Sequence, residues 1–158
     1  FFVVANITDT AAVREIIAKS TTAPDIEWAL RLGATDLQNF LVFDASAAVS
    51  AVRNSDAAIT QGSWATRGAS YDATGGATAA NGMTMYQAGA VIASTATNNA
   101  AYVAMENGLA TVIIGADTTA TPANFFAGSI ALVMVVAANL SASQHFQLNQ
   151  LSRRFFGI

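Results

Sequence analysis

The side chains that could do chemistry in this chain are few and widely spaced. His145 is the only histidine, and the 158 residues contain no cysteine. With Glu106 and Asp117, His145 could form an acid–base pair or part of a Ser–His–Asp arrangement if the fold brought the three together. No Gly-x-Ser-x-Gly sequence marks a nucleophile. An enzyme or ligand-binding pocket at these three residues is therefore the less favoured hypothesis.

Metal and cofactor sites lack a ligand set. Zinc and the transition metals need several histidine or cysteine ligands, and calcium needs clustered carboxylates. The single histidine and the scattered Asp56, Asp72 and Asp117 supply neither. Gly75–Gly76 lacks the Gly-Lys-Ser/Thr ending of a phosphate loop. We predict a protein that is not an enzyme, with no catalytic, cofactor-binding or metal-binding residue, no cofactor and no small-molecule substrate.

Charge is scarce, above all in the second half. Between Ala73 and Ser152 the only charged residues are Glu106 and Asp117. Charged residues make up 11% of the chain, against about 25% in an average soluble domain. The basic residues are scattered apart from Arg153–Arg154, so specific nucleic-acid binding is not expected. Such a chain either hides its surface in an assembly, which we favour, or covers it with Thr, Ser and Asn.

The first 56 residues are predicted to be mainly helical, after a short buried strand. The unbroken apolar run Phe1–Ala5 indicates that strand. Three helices are predicted to follow. The first, Thr8–Ser20, has a cap at Thr8 or Asp9 and an apolar stripe of Val13, Ile16 and Ile17. The second is Pro24–Leu32 with Trp28 as core anchor, and the third is Ala45–Arg53, capped by Asp44.

Residues 57–140 are predicted to be rich in strands. Ala57–Arg67 and Met83–Thr95 have strand character, and the Gly-rich stretch Ala69–Gly82 between them is predicted to be a loop. Asn107–Gly108 is the preferred two-residue turn of a β-hairpin, so Tyr102–Ile114 is predicted to fold as one.

The apolar region Pro122–Ala142 allows two interpretations. It has about the 20 residues that a membrane-spanning helix needs. The favoured alternative is a central strand over Ser129–Ala138, because several of its residues are β-branched. A terminal helix over Ser141–Arg154 is predicted to follow, with Phe146 and Leu151 facing inward.

These elements predict an α+β fold: short N-terminal helices, a mainly antiparallel β-rich half of sandwich or barrel type, and a short C-terminal helix. We expect a single domain over residues 1–158. Its parts are a mainly helical segment (1–56), a β-rich segment (57–140), and a C-terminal helix with an apolar tail (141–158).

Aromatic and apolar residues at both ends suggest contacts with neighbouring subunits, because aromatic side chains dominate protein interfaces. The candidates for subunit contact are Phe1, Phe2, Phe155, Phe156, Ile158, Tyr71 and Tyr86.

The favoured function is that of a structural, self-assembling subunit, either a viral capsid or coat protein or a capsid-decoration protein. Its expected partners are copies of itself and other structural proteins of the assembly, in a virion or at an extracellular surface. The alternatives are an extracellular, pilin-like filament subunit and a small membrane protein that spans once near Pro122–Ala142.

Overall fold

Eleven strands, one α-helix and one 3₁₀ helix lie in the described part of the chain, which in this computed structural model comprises residues 1–8, 12–21, 26–117 and 121–158. One sheet contains, in spatial order, β11 (Gly128–Met134), β1 (Phe2–Ile7), β6 (Trp64–Tyr71), β7 (Met83–Gln87) and β8 (Ala90–Val91). The other contains β10 (Thr111–Ile114), β2 (Arg14–Ser20), β3 (Ile26–Leu32), β4 (Leu37–Asp44), β5 (Val49–Ala58) and β9 (Ser94–Thr97). All paired strands are antiparallel. The fold is a β-sandwich with one C-terminal helix, α1 (Ala142–Phe156). The predicted α+β class with a mainly helical segment over residues 1–56 is therefore wrong, because the described residues of that segment form strands β1 to β5.

The predicted N-terminal strand is confirmed. In β1, Val3, Ala5 and Ile7 point into the core that the two sheets share. Phe2 is also buried and lies 6.3 Å from the ring of His145 in α1. Because β1 is covered on both sides, its sequence is apolar without alternation.

The predicted helix over Thr8–Ser20 is wrong, and a β-bulge explains why. Residues 14–20 form β2, whose register against β3 shifts between Glu15 and Ile17. Ile16 and Ile17 therefore both contribute to the core. A bulge breaks the two-residue alternation of a strand, so the apolar spacing resembled that of a helix. The proposed cap Asp9 lies outside the described residues.

The predicted helices over Pro24–Leu32 and Ala45–Arg53 are also wrong. Residues 26–32 form β3, while Pro24 lies outside the described residues. Residues 45–48 form a turn that leads into β5. The Asp44 carboxylate accepts hydrogen bonds from the Ala47 backbone and the Ser46 hydroxyl, both at 2.9 Å. Asp44 thus caps a tight turn, because such carboxylates satisfy turn amides as readily as helix amides.

The strands predicted for residues 57–95 have the right type but different limits. The predicted strand Ala57–Arg67 is interrupted, because β5 ends at Ala58 and β6 begins at Trp64. The predicted strand Met83–Thr95 is divided into β7, β8 and the start of β9. The predicted loop Ala69–Gly82 contains the end of β6 and a 3₁₀ helix over Gly76–Gly82.

The predicted hairpin at Asn107–Gly108 is wrong. No strand is present over residues 102–108, and β10 pairs with β2 instead of folding back on the preceding segment. The side-chain oxygen of Asn107 accepts a hydrogen bond of 2.7 Å from the Lys19 ammonium group. This contact between distant parts of the chain holds the segment across the end of the six-stranded sheet.

The strand interpretation of the apolar region is confirmed, although its predicted central position is wrong. Residues 128–134 form β11, which pairs only with β1 and lies at a sheet edge. Val135 and Val136 beyond it are exposed. Within the described residues, no helix has the length and apolar content to cross a membrane.

The C-terminal helix is confirmed, but its predicted inner face is wrong. Ser141 caps α1 in a capping box with Gln144, and Gly157 ends it in the left-handed conformation. Phe146 and Leu151 are 53% and 62% exposed, whereas the buried residues of α1 are His145, Asn149 and Ser152. The helix therefore packs on the sheet through its polar side.

His145 docks α1 on the outer face of the five-stranded sheet. Its ring stacks on Tyr86 with 3.7 Å between centroids. It also covers Gly68, where a Cβ atom would lie 2.8 Å from His145 Cε1 and 2.6 Å from the Phe1 carbonyl oxygen. A second contact is the hydrogen bond of 2.8 Å from Thr66 Oγ1 to Asn149 Oδ1. Because Gly68 has no side chain, α1 approaches the sheet closely enough for His145, on the polar side of the helix, to stack on Tyr86.

We expect Gly68→Ala to destabilise the protein by about 1–3 kcal/mol, because the new methyl group overpacks the contact between α1 and the sheet. Urea unfolding measures the change in free energy. Gly33→Ala is the matched control, since the atom nearest to its Cβ would be the Leu37 carbonyl oxygen at 3.8 Å. Equal stability of the two variants would contradict this docking contact.

We expect stability to fall with acid in a way that depends on His145. Burial lowers the pKa of His145 from 6.5 to about 4, so the unfolded state binds the proton more readily. The stabilisation from neutral His145 is complete above about pH 6.5 and is lost as the pH falls towards 4. Unfolding of His145→Phe across this range should show a flatter pH dependence. An unchanged slope would show that His145 does not titrate in this way.

Candidate functional site

The outer face of the six-stranded sheet is the broad surface that the helix leaves uncovered. Helix α1 contacts β1, β6 and β8, which all belong to the other sheet. On β3, the two-residue period of a strand turns Trp28, Leu30 and Leu32 towards the core. The alternate residues Glu27, Ala29 and Arg31 therefore lie on the outer face of the sheet. We call this side of β2–β5 the open face.

The middle of the open face is apolar. Ala18, Ala29, Leu41 and Val52 lie opposite one another across β2 to β5. The first three form a small buried cluster separate from the main core, and the partly buried Val52 and Phe43 pack against it. Because Ala18, Ala29 and Leu41 are only 1–3% exposed, the apolar surface that a ligand could reach here is that of Phe43 and Val52.

A row of polar side chains crosses the open face beside this apolar cluster. Arg31 Nε donates to Asn39 Oδ1 at 2.9 Å, and Asn39 Nδ2 donates to Asn54 Oδ1 at 2.6 Å. Arg31 Nη1 lies 3.5 Å from Glu15 Oε1. We call Glu15, Arg31, Asn39 and Asn54 the polar ladder. Its contacts fix the planes of one guanidinium and two amide groups, the planar groups that recognise hydroxyls and carboxylates in two-point contacts.

Glu15 is the most unusual member of the polar ladder. Its residue is 2% exposed, and Oε2 has no hydrogen-bond partner within the described ranges. Burial raises the pKa of Glu15 to about 7, Arg31 opposes this rise, and Asp117 adds to it. The side chain is therefore close to the balance between its neutral and charged forms at neutral pH.

A charged cavity lies at the other end of the open face. Lys19 Nζ is 2.7 Å from Glu27 Oε2 and 2.7 Å from Asn107 Oδ1. The cavity has a volume of about 290 Å³ and is lined by Thr21, Glu27, Ala45, Glu106, Gly108, Leu109 and Ala110. Glu27 and Arg31 are four residues apart on β3, so about 13 Å of strand separates the cavity from the polar ladder.

The three residues considered for acid–base chemistry are not brought together. His145 is buried beneath α1 on the five-stranded sheet. Glu106 lines the cavity on the opposite side of the sandwich. Asp117 accepts hydrogen bonds from the Ala123 backbone and the Asn124 side chain, and it influences Glu15. Within the described part of the chain, no three carboxylate or imidazole groups are placed to hold a metal ion.

The candidates for subunit contact lie in different environments. Phe2 and Tyr86 are buried inside this fold, and Phe1 packs on Trp28 and Phe40 with ring centroids 4.8 and 5.2 Å apart. Tyr71, Phe156 and Ile158 are partly buried, whereas Phe155 is 83% exposed. Contact with another subunit stays a prediction for this set.

The residues of the polar ladder and Glu27 were missed from the sequence, although a signal was present. In Ile26–Leu32 the polar Glu27 and Arg31 alternate with the apolar Trp28, Leu30 and Leu32. This is the pattern of a strand with one polar side. Pro24 and Asp25 before this segment, and Glu27 within it, suit the start of a helix, so a helix was predicted in place of a strand.

Comparison with known proteins gives structural likeness only. No protein-family model matches the sequence, and no curated protein is similar to it. The fold is similar to the CBM40 of the Ruminococcus gnavus IT-sialidase, with a TM-score of 0.70 and 15% identity, over 94% of this chain and 80% of that chain. That module has been solved alone, bound to α2,3-sialyllactose, and bound to α2,6-sialyllactose with a TM-score of 0.69. At 15% identity this likeness shows the fold alone, a β-sandwich of the kind found in that module.

The predicted capsid, coat or filament subunit is therefore corrected, as is the expectation that copies of itself and other structural proteins are its partners. The three structures named above are of a sialidase module, two of them with a bound sugar, and not of a virion or filament protein. Scarce charge misled the prediction.

We expect Glu15→Gln to gain stability relative to the natural chain as the pH rises. The raised pKa of Glu15 means that the stability of its protonated form is present below pH 4.5 and is lost as the pH rises through about 7. Glutamine keeps the neutral state throughout. Urea unfolding at about pH 5 and pH 8 measures the difference, with Asp56→Asn as an exposed carboxylate control. If the difference in free energy of unfolding between Glu15→Gln and the natural chain were the same at both pH values, the burial of the Glu15 carboxylate would be contradicted.

Proposed function

We propose that this chain is a carbohydrate-binding module that holds a glycan against the open face. The observation that carries the proposal is the likeness of the fold to a sialidase CBM40 over 94% of this chain. The CBM40 structures with sialyllactose show that a sandwich of this kind can present a glycan site. The role proposed here is binding without turnover.

The chemistry of the open face supports a sugar ligand. A pyranose ring presents hydroxyls at its edge and C–H groups on its faces. The partly exposed Phe43 and Val52 offer apolar surface to the C–H groups. The amide of Asn54 and the guanidinium of Arg31 suit the hydroxyls. Sites for small ligands usually combine such an apolar surface with a few oriented polar groups.

The polar ladder is also organised before binding. Cross-strand hydrogen bonds hold Arg31, Asn39 and Asn54 on three adjacent strands. Side chains that are already fixed lose less conformational entropy when a ligand binds. A rigid strand surface therefore suits weak, selective recognition of a sugar. Action outside the cell, where glycans are exposed, stays a prediction.

We expect α2,3-sialyllactose, α2,6-sialyllactose or lactose to shift the NMR signals of β3, β4 and β5 selectively. Arg31→Ala and Asn54→Ala should each weaken binding about tenfold, the effect of losing one hydrogen bond to a charged or oriented group. Arg154→Ala, in the last turn of α1 on the other side of the sandwich, is the matched control. No hydrolysis product is expected after prolonged incubation.

Two outcomes would contradict the proposal. One is the absence of binding to the whole panel by a chain that circular dichroism shows to be folded. The other is binding whose shifts map to α1 and the five-stranded sheet and that Arg154→Ala weakens while Arg31→Ala does not.

A further inference from the structure

We propose that a cleft at one end of the sandwich is a second sugar-binding site, which takes a neutral sugar and disfavours an acidic one. The choice of a sugar as the ligand rests on the proposed function, whereas the site itself lies apart from the open face. We call it the end cleft. The residues of its lining that carry the argument are Tyr71, Asp72, Met105, Val136 and Asn139.

The end cleft forms where three strands of the five-stranded sheet meet at one end. Strand β1 begins there, and β6 and β11 both end there, because each runs antiparallel to β1 and pairs with its first residues. Tyr71 is the last residue of β6 and Asp72 follows it, while Val136 and Asn139 follow the end of β11. Met105 comes from the segment before β10, so parts of the chain that are far apart in sequence form the walls.

The lining of the end cleft is accessible to a ligand. Met105 is 41% and Val136 36% exposed, Asp72 and Asn139 are exposed, and Tyr71 is partly exposed. The main cavity has a volume of about 340 Å³, at the lower end of the range of about 300–1,000 Å³ for small-ligand sites. A cavity of about 260 Å³ adjoins it, since Tyr71 and Met105 line both. A ligand of one or two sugar rings suits this size.

Hydrogen bonds hold the walls of the end cleft in place before any ligand binds. The Asp44 carboxylate accepts a bond of 2.9 Å from the backbone amide of Val103. The carbonyl oxygen of Val103 accepts one of 2.7 Å from the Gly76 amide, which joins the segment before β10 to the loop after β6. Asp72 accepts one of 2.8 Å from the Thr74 amide. Groups that are already fixed lose less conformational entropy on binding.

The side chains of the end cleft match the two kinds of surface that a pyranose presents. The ring of Tyr71, the thioether of Met105 and the side chain of Val136 offer apolar surface to the C–H groups. The carboxylate of Asp72 can accept hydrogen bonds from hydroxyls, and the amide of Asn139 can both donate and accept them. A few polar groups beside apolar surface are typical of small-ligand sites.

The charges of the end cleft favour a neutral sugar. Among the described residues that line the two cavities, Asp72 has the only charged side chain. Hydrogen bonds from Thr74 hold the pKa of Asp72 below its usual value, so the carboxylate is charged at neutral pH. The amino group of Phe1 at the same cavity donates to the Ala69 carbonyl at 2.7 Å, and burial lowers its pKa to about 6. Above that pH the cleft carries one negative charge, which repels a carboxylate.

The test titrates the chain with glucose and glucuronate, and with galactose and galacturonate, at about pH 8, where the Phe1 amino group is neutral. The two members of each pair differ only in the carboxylate at carbon 6. The NMR signals of the Ala73 and Asn139 amides report on the end cleft, and those of Asn39 and Asn54 report on the open face. We expect the neutral sugar to bind the end cleft about fivefold more tightly, the effect of two like charges about 4 Å apart in water.

Three variants of exposed residues connect this preference to the end cleft. Asp72→Asn should remove it, and the variant should fold because asparagine still accepts a hydrogen bond from the Thr74 amide. Met105→Ala removes apolar surface and should weaken the binding of both neutral sugars several-fold. Leu109→Ala is the matched control and should leave their affinity unchanged, since Leu109 is a fully exposed apolar residue of the same segment that lies outside both cavities.

The outcomes separate this inference from the proposed function. Shifts at the end cleft, with a preference for the neutral sugar that Asp72→Asn removes, would support the inference. Equal affinity within a pair, or a preference that Asp72→Asn leaves unchanged, would overturn it. Shifts confined to Asn39 and Asn54 would overturn the end cleft and leave the open face intact, whereas shifts confined to the end cleft would contradict the open face alone. Absence of binding to these sugars and to the sialyllactose panel would overturn both.

Discussion

The contact between His145 and the sheet beneath it determines which surface of this protein is available. His145 stacks on Tyr86 above Gly68, so α1 covers the five-stranded sheet and satisfies much of its outer surface. The main strand contacts of α1 are all with the five-stranded sheet. On the outer side of the six-stranded sheet, the members of the polar ladder hydrogen-bond to one another from strand to strand.

The scarcity of charge has a different meaning in the folded protein from the one that composition suggested. Within the described residues, Glu15, Lys19, Glu27 and Arg31 pair across β2 and β3 on one sheet. Both carboxylates are buried, and Glu15 Oε2 and Glu27 Oε1 have no hydrogen-bond partner among the described residues. Buried charges with incomplete partners are costly, so the few charges of this sheet are held inside the fold and not spread over its surface.

Parts of the fold were predictable because their signals are local. The buried strand at Phe1–Ala5, the strand within Ser129–Ala138 and the capped helix after Ser141 depend on apolar runs, β-branched residues and a capping box. The predictions failed where contacts between residues far apart in the sequence determine the local structure. Ile16 and Ile17 looked helical because of a bulge, and Asn107–Gly108 had the local form of a hairpin although Lys19 holds it elsewhere.

The amino-acid sequence by itself determined the poverty of catalytic and metal-binding residues, the strand-rich second half and the C-terminal helix. These properties follow from residue types and short-range spacing. Only the tertiary structure decided that residues 14–20 and 26–32 join a sheet, that the polar side of α1 faces inward, and that Glu27 and Glu106 share a cavity. Sheet pairing joins residues far apart in the chain, and no local pattern records which partners will meet.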